Sequence, residues 1–379
     1  MARIVTVYEG SCRPFEPSDM SYVRWLKMSE ALAALGHEVD IATREPGRLA
    51  HVVGGRVARA VGLDARRDVV VMAPRLRRVP LDRVRWRDYD VVKTLFHIGF
   101  ETLERQGGDD HPCVVAKLGS VVDREDRPGV YFYGARRRAL FAVQERIASR
   151  SRAVTVLTEP SRARWEGCFG TGRTTLLVPG AVDAELPDSA DARADPYGAG
   201  RPRCVFAGNV YDPVSQPEAH ATLVAKLNAL GRRLAARGIR LCFMGPGARA
   251  ALDRDAVEDL GVVPYARSWP YLQHADVGLV LALGPVPNEN ESTKIYHYLR
   301  AGLPTVCEAG FPNEGLVREA GLGFVVGNGD VAALADAVVA AASASWDRAR
   351  AVQVVLDRHT WRHRAAVYDA WLRIRGAAP

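Results

Sequence analysis

Short apolar runs alternate with helix-period stretches along the whole of this chain, and no other feature constrains the fold as strongly. In the first half the runs are "RIVTVY" (3–8), "EVDIAT" (38–43), "DVVVMA" (68–73), "DVVKTL" (90–95), "CVVAKL" (113–118), "AVTVLT" (153–158) and "TTLLVP" (174–179). In the second half they are "RCVFAG" (203–208), "RLCFMG" (240–245), "GVVPY" (261–265), "VGLVLA" (277–282), "PTVCEA" (304–309) and "GFVVG" (323–327). Strands that are apolar almost continuously suit sheets covered on both faces, and therefore parallel α/β layers. Amphipathic helices lie between them. The stretch 20–35 sets Trp25, Met28, Leu32 and Leu35 on one stripe and stops at Gly36, and 220–238 is again closed by glycine.

A chain of 379 residues exceeds one ordinary core. The segment 183–202, "DAELPDSADARADPYGAGRP", has no periodicity and is rich in Pro, Gly, Ala and Asp. The expectation is two Rossmann-like, doubly wound domains facing across a cleft. Residues 1–182 form the first, 183–202 link it to the second at 203–357, and 358–379 supply a last helix. That helix, "TWRHRAAVYDAWLRIR" (360–375), has Trp361, Val367, Trp371 and Ile374 available to pack on the first domain. Ligands bind such folds at the carboxyl ends of the strands, so the chemistry belongs in the loops there.

Composition excludes several classes. With 48% apolar and 25% charged residues the chain is an ordinary globular one. Its apolar runs fall well short of the roughly 20 residues that span a bilayer. "MARIVTVYEG" turns acidic and Gly-rich too early for a signal peptide, which points to the cytoplasm. Cysteines stand at 12, 113, 168, 204, 242 and 307, never at CxxC spacing, so buried reduced thiols are expected rather than disulfides or zinc. The net charge of +7 is uneven. Residues 56–87 hold ten arginines against Asp64, Asp68 and Asp82, and 124–152 hold eight arginines, including Arg136-Arg137-Arg138. A solvated surface accounts for both windows; the functional alternative is an anionic membrane surface met through 56–87, with nucleic acid ranked lower. "LAHVVGGRVARAVGL" (49–63) mixes apolar and arginine positions at roughly helical spacing, which suits a helix lying on a membrane.

The stretch "NENESTKIYHYLRAGLP" (288–304) reads as the mouth and body of one helix. Ser292 can cap a helix starting near Thr293. The free amides there, with the helix dipole, make an anion site. Lys294 in the first turn opposes the dipole, an arrangement that makes sense if a phosphate lies between them. His297 follows one turn later on the same face, and Glu289 and Glu291 can accept hydroxyl hydrogen bonds. Phosphate donors beside hydroxyl acceptors match a nucleoside diphosphate-sugar. The alternative is a plain surface N-terminus with Glu291 pairing Lys294.

Several segments in order resemble the GT-B glycosyltransferases, especially those similar to glycosyltransferase family 4. These are "CVFAGNVYD" (204–212), "LCFMGPGARAAL" (241–252), "YLQHADVGLVLA" (271–282) and "ENESTKIYHYLRAGLPTVCEAG" (289–310). "ALAALGHEVDIAT" and "AVTVLTEPSRARW" with "TTLLVPGAVD" match in the first half. The resemblance implies a UDP- or GDP-linked sugar donor with no other cofactor. It implies Gly208 and Asn209 near the pyrophosphate, and Ser292, Thr293 and Lys294 binding it. Glu289 would meet sugar hydroxyls and the loop from Val263 to Tyr265 would hold the base. The sequence departs from the family in two ways. His297 stands where a second glutamate grips the ribose, and "GNVYDPVSQPE" (208–218) lacks the usual Arg and Lys. Lys294 can supply the missing charge, as in related membrane-associated glucuronosyltransferases with a Ser-x-Lys helix start.

Asp123, in the loop after strand 113–118, is nominated as base or as partner of the acceptor hydroxyl. His97, after strand 90–95, is a weaker candidate beside the reactive carbon, and Gly10 and Ser11 can close over the phosphates. "DRD" (253–255) and "DYD" (88–90) match a metal-binding DxD by letters only, the first falling in an amphipathic helix and the second ahead of a strand. HExxH, GxSxG and P-loop motifs do not occur. The expected activity is metal-independent transfer of a sugar from a nucleoside diphosphate to a glycan, a lipid-linked intermediate or a small molecule. A nucleotide-sugar epimerase of the same fold and a catalytically degenerate partner-binding subunit are the alternatives.

Overall fold

The computed structural model describes residues 1–8, 20–43, 70–108, 110–125, 134–186, 194–198, 200, 202–284 and 288–376. Two sheets organise the chain. The first contains β1 (Arg3–Tyr8), β2 (Glu38–Thr43), β3 (Val70–Ala73), β4 (Leu76–Pro80), β5 (Val91–Leu95), β6 (Val114–Lys117), β7 (Ala153–Val156) and β8 (Thr174–Leu177). Their spatial order is β3-β4-β2-β1-β5-β6-β7-β8. The second contains β9 (Arg203–Ala207), β10 (Arg240–Met244), β11 (Val257–Asp259), β12 (Val277–Val280), β13 (Thr305–Glu308) and β14 (Gly323–Val326), in the order β11-β10-β9-β12-β13-β14. Pairing is parallel throughout except between β3 and β4. The strand order reverses between β1 and β5 in one sheet and between β9 and β12 in the other, and those are the switch points where ligands collect.

Helices α1 (Met20–Ala34), α2 (Phe96–Arg105), α3 (Gly134–Arg150) and α4 (Glu159–Phe169) belong to the first lobe. The second carries α5 (Pro217–Ala235), α6 (Tyr265–His274), α7 (Thr293–Arg300), α8 (Gly315–Ala320), α9 (Val331–Ser343) and α10 (Arg348–Arg358), and α11 (Trp361–Gly376) follows. On the first sheet Val92, Ala116, Phe100 and Ile147 pack one face under α2 and α3. Ile41, Val115, Trp25, Leu32, Trp361 and Tyr368 pack the other, so α11 lies on α1 in the first lobe. On the second sheet α5 and α9 bring Leu227, Leu234 and Val338 against Phe243 and Leu279. Trp269, Ile295, Tyr298 and Val355 fill the opposite face.

Some expectations need correction. The run 261–265 is not a strand. Gly261 sits at φ +79, in the left-handed region that ends an extended run, the neighbouring strand is β11 at Val257–Asp259, and Tyr265 opens α6. "DRD" lies in a turn rather than a helix, with Asp253 accepting from the Asp255 amide and pairing with Arg232. Ile374 does not pack: it is 73% exposed, because at about 100° per residue it falls on the side of α11 opposite Trp361, Ala365 and Tyr368. The arginine-rich windows are only partly solvated. Arg77 on β4 grips the buried Asp40 of β2 with two 2.7 Å bonds, and Arg137 is buried and donates to the Asp123 carbonyl at 2.9 Å. The whole of 49–63, and residues 56–69 of the first arginine-rich window, lie outside the described residues. Among the described residues no helix is long and apolar enough to cross a membrane, and the cysteines at 113, 168, 204, 242 and 307 are free thiols.

One buried pair fixes the loop ends that frame the second lobe's cleft. Glu308, 1% exposed, accepts from Lys226 Nζ at 2.8 Å, the Ala282 amide at 2.7 Å and the Gly329 amide at 2.8 Å. Lys226→Met should leave that carboxylate buried without its cation and destabilise the fold by about 3–5 kcal/mol. Urea unfolding measures this; a loss under about 1 kcal/mol would show that the pair is only peripheral to the fold.

Candidate active site

The loop from β12 delivers the chain to the mouth of α7. Ser292 is extended, at φ −90 and ψ 112, and its hydroxyl makes no capping bond, contrary to expectation. Asn313 holds it instead. The Asn313 Oδ1 accepts from the Ser292 amide and its Nδ2 donates to the Ser292 carbonyl, each at 2.9 Å. The loop is thus pinned while α7 has no side-chain cap; the Ile295 amide donates to the Ser292 carbonyl at 3.2 Å, which leaves the Thr293 and Lys294 amides for an outside acceptor.

Lys294 projects from that first turn. Its Nζ lies 5.0 Å from the centre of the Phe206 ring, a favourable cation–π placement, and its stem abuts Gly208. The side chain is half-buried and, among the described residues, pairs with no carboxylate. Burial therefore lowers its pKa to about 8. Glu291 does not pair with it. One Glu291 oxygen accepts from Arg24 and the Gly180 amide, the other from the Tyr296 hydroxyl at 2.7 Å. Arg24, on α1, also donates to the Thr293 hydroxyl. Glu291 and Thr293 therefore join the two lobes.

Facing Lys294 is a seam where β9 and β10 end side by side. The Gly208 amide donates to the Met244 carbonyl at 2.9 Å. Gly245 and Gly247 follow at φ +150 and +111, and a Cβ on either would overlap the Gly208 or Val210 carbonyl. Asn209 is exposed beside Gly247.

Glu289 sits opposite the first lobe. Its carboxylate pairs with Arg164 of α4, and its carbonyl accepts from the Thr158 hydroxyl at 2.5 Å. Arg164 also meets Asp123 at 2.9 Å, so one guanidinium bridges the two carboxylates expected to face substrate. Asp123 is 5% exposed and Asn290 reaches Ser120 at 2.7 Å.

His297 turns away from solvent. Its ring packs edge-on at 5.5 Å from both Tyr265 and Trp269. Burial, then the charge of Arg24, pushes its pKa down to about 3, so the imidazole is neutral. The ring bonds the Thr293 backbone, and Nε2 has no hydrogen-bond partner among the described residues. Tyr265 opens α6 with its hydroxyl 2.9 Å from Asp183, and Val263 packs at the edge of the same cluster.

Gly10 and Ser11 lie outside the described residues, as does the His97 side chain; the His97 backbone is in the first turn of α2. That turn is entered through Phe96 at φ 45, a rare value for a non-glycine residue at a strand end facing the cleft. Arg24 and Arg164, which tie the constellation together, were not singled out by sequence reasoning. Each is an unremarkable basic residue on a helix surface until its partner in the other lobe is known.

Residues 201–343 match the family model described as "Glycosyl transferases group 1". No curated protein matches the sequence. The fold as a whole is similar to that of sucrose-phosphate synthase from Thermosynechococcus elongatus, with a TM-score of 0.70 at 15% identity over 100% of both chains. It is similar to Anabaena HepE in complex with UDP and glucose, with a TM-score of 0.67 at 11% identity over 99% of this chain and 100% of that one. The E. coli trehalose-6-phosphate protein bound with UDP-2-fluoro glucose aligns with a TM-score of 0.62 at 13% identity, over 98% of this chain and 99% of that one. The chain therefore has the two-lobed GT-B fold, and its second lobe matches the group 1 glycosyltransferase model.

Proposed function

We propose that this protein transfers a sugar from UDP- or GDP-sugar to an acceptor hydroxyl, in the manner of glycosyltransferase family 4 and without a bound metal. The observation that supports this most is the Lys294 ammonium. It is half-buried without a carboxylate among the described residues, at an uncapped helix mouth, against the Gly208 seam. A charge in that position is expensive unless an anion joins it. A nucleoside diphosphate supplies that anion, and the neighbours bound to UDP or a UDP-sugar are consistent with the choice.

In this reaction the acceptor oxygen forms a bond to the anomeric carbon. The bond from that carbon to the phosphate oxygen breaks, and its electron pair stays on the diphosphate. Lys294 and the α7 amides stabilise the developing charge. Asp123 must leave its 2.9 Å ion pair with Arg164 before it can take the acceptor proton. It therefore suits positioning of the acceptor, with the departing phosphate as proton acceptor. Arg164 sets Glu289 toward the sugar. Neutral His297, packed on Tyr265 and Trp269, stands in place of the carboxylate implied by the family resemblance and offers the ribose no charge. The acceptor is a glycan, a lipid-linked intermediate or a small molecule.

Product analysis tests the reading. Free UDP or GDP should accumulate only when acceptor is present, and EDTA should not slow it. An epimerised donor without acceptor would replace transfer with epimerisation. Calorimetry showing that a folded sample binds neither UDP nor GDP would favour a partner-binding subunit.

A pH dependence also follows. The free-state pKa of Lys294 is about 8, and a bound diphosphate raises it. Diphosphate affinity should hold below that pH and weaken as pH rises through it, by up to about tenfold per unit. Lys294→Arg should flatten the profile between pH 8 and 10. An unchanged slope would remove Lys294 from the phosphate site.

A further inference from the structure

We propose that the first lobe holds a second anion site, built from Lys93 and Lys117, that receives a phosphate monoester on the acceptor. The proposal rests on the transferase reading and names its acceptor class.

Lys93 lies inside β5 and Lys117 closes β6, strands that are otherwise apolar apart from Thr94. Lys93 pairs in register with Val115, two residues before Lys117, so both side chains leave the same face of the sheet. Thr6 and Thr155 flank them on β1 and β7 in the same register. Helices α1 and α11 roof that face. Trp25 donates to the Thr6 hydroxyl at 2.6 Å, Tyr368 lies 3.3 Å from the Thr155 hydroxyl, and the Lys93 ammonium is 5.4 Å from the Tyr368 ring. Lys93 is buried and Lys117 half-buried.

Among the described residues neither ammonium has a carboxylate in ion-pair contact. Glu291 is the carboxylate near enough to act on Lys117, and it already faces Arg24, the Gly180 amide and the Tyr296 hydroxyl. With Arg24 and Glu291 offsetting each other, two ammonium groups on one face of the sheet have no ion-pair partner among the described residues. Burial lowers the Lys93 pKa to about 8; burial, then the charges of Arg24 and Lys93, lower that of Lys117 to about 7. Isolated buried ammonium groups are not retained for stability, since apolar side chains of the same size pack more favourably there. Two of them match the charge of about −1.5 to −2 on a phosphate monoester. Lys117 closes β6, Lys93 stands two residues short of the end of β5, and Arg24, which contacts α7, is near enough to act on Lys117, which puts that phosphate on the acceptor side of the cleft.

The test is titration of the full chain with inorganic phosphate, and separately with UDP and GDP, at constant ionic strength, in wild type, Lys93→Met, Lys117→Met and Lys93→Arg. Wild type should bind phosphate saturably. The two methionine variants should bind it at least tenfold more weakly, Lys93→Arg should retain part of the affinity, and nucleoside diphosphate affinity should stay within twofold. Removing a buried charge should leave the melting temperature equal or higher, so a loss of binding would not reflect unfolding. Absence of saturable phosphate binding by wild type, or equal binding by both methionine variants, would overturn the proposal. So would a parallel loss of UDP or GDP affinity, which would assign the lysines to the donor diphosphate. If neither nucleotide binds wild type while phosphate does, the transferase reading fails and the anion site stands.

Discussion

Lys294→Ala should lower kcat by about 10²–10³-fold, equivalent to about 2.7–4 kcal/mol, the loss typical of removing one preorganised charge-stabilising donor. The effect should appear in kcat more than in KM, because charge on the diphosphate grows as the bond to the sugar breaks. The fold should survive: the ammonium has no carboxylate partner among the described residues, so its removal orphans no buried acid. His297→Ala should behave oppositely. It removes a neutral ring from between Tyr265 and Trp269, so stability falls by about 2–4 kcal/mol through the cavity while kcat changes less than tenfold. Steady-state kinetics and urea unfolding on the two variants separate these outcomes. Comparable losses of kcat would remove the distinction between a charge that acts on the diphosphate and a ring that only packs.

Gly245→Ala should be the most damaging small substitution in the second lobe. A methyl group there overlaps the Gly208 carbonyl, and φ +150 is strained for any other residue. Overpacking of about 1–3 kcal/mol and backbone strain of about 1–3 kcal/mol combine to roughly 4 kcal/mol. The same shift moves the Gly208 seam away from Lys294, so the surviving folded fraction should bind nucleoside diphosphate more weakly. Gly284→Ala provides the control, since a Cβ there meets nothing within 4 Å. Equal melting temperatures for the two variants would mean that the strands do not approach as closely as described.

The fold and part of the site were legible before any coordinates. Parallel strands sandwiched between helices are apolar on both faces, so β1, β2, β5, β6, β7 and most of the second sheet announce themselves as continuous runs. The strand β4, "LRRVP", escaped because Arg77 on it is answered by Asp40 on β2, far off in sequence, and reads locally as a loop. The strand assignment at 261–265 failed because two valines and a tyrosine look extended, whereas Gly261 and the start of α6 claim those residues. The α7 mouth was visible because helix starts depend on residues within one turn. Ser292 looked like its cap, but Asn313, 21 residues further on, holds that backbone instead.

By itself, then, the sequence determined the layered architecture and the placement of Lys294 in the first turn of α7. These follow from local periodicity and from position along one helix. Only the tertiary structure decided which charges meet. Arg164 joins Asp123 to Glu289, Arg24 joins Glu291 to Thr293, and Lys93 and Lys117 share one face of the first sheet. Those partners lie far apart along the chain, and a charged side chain is satisfied by whatever folding brings within a few ångströms of it, which no local pattern specifies.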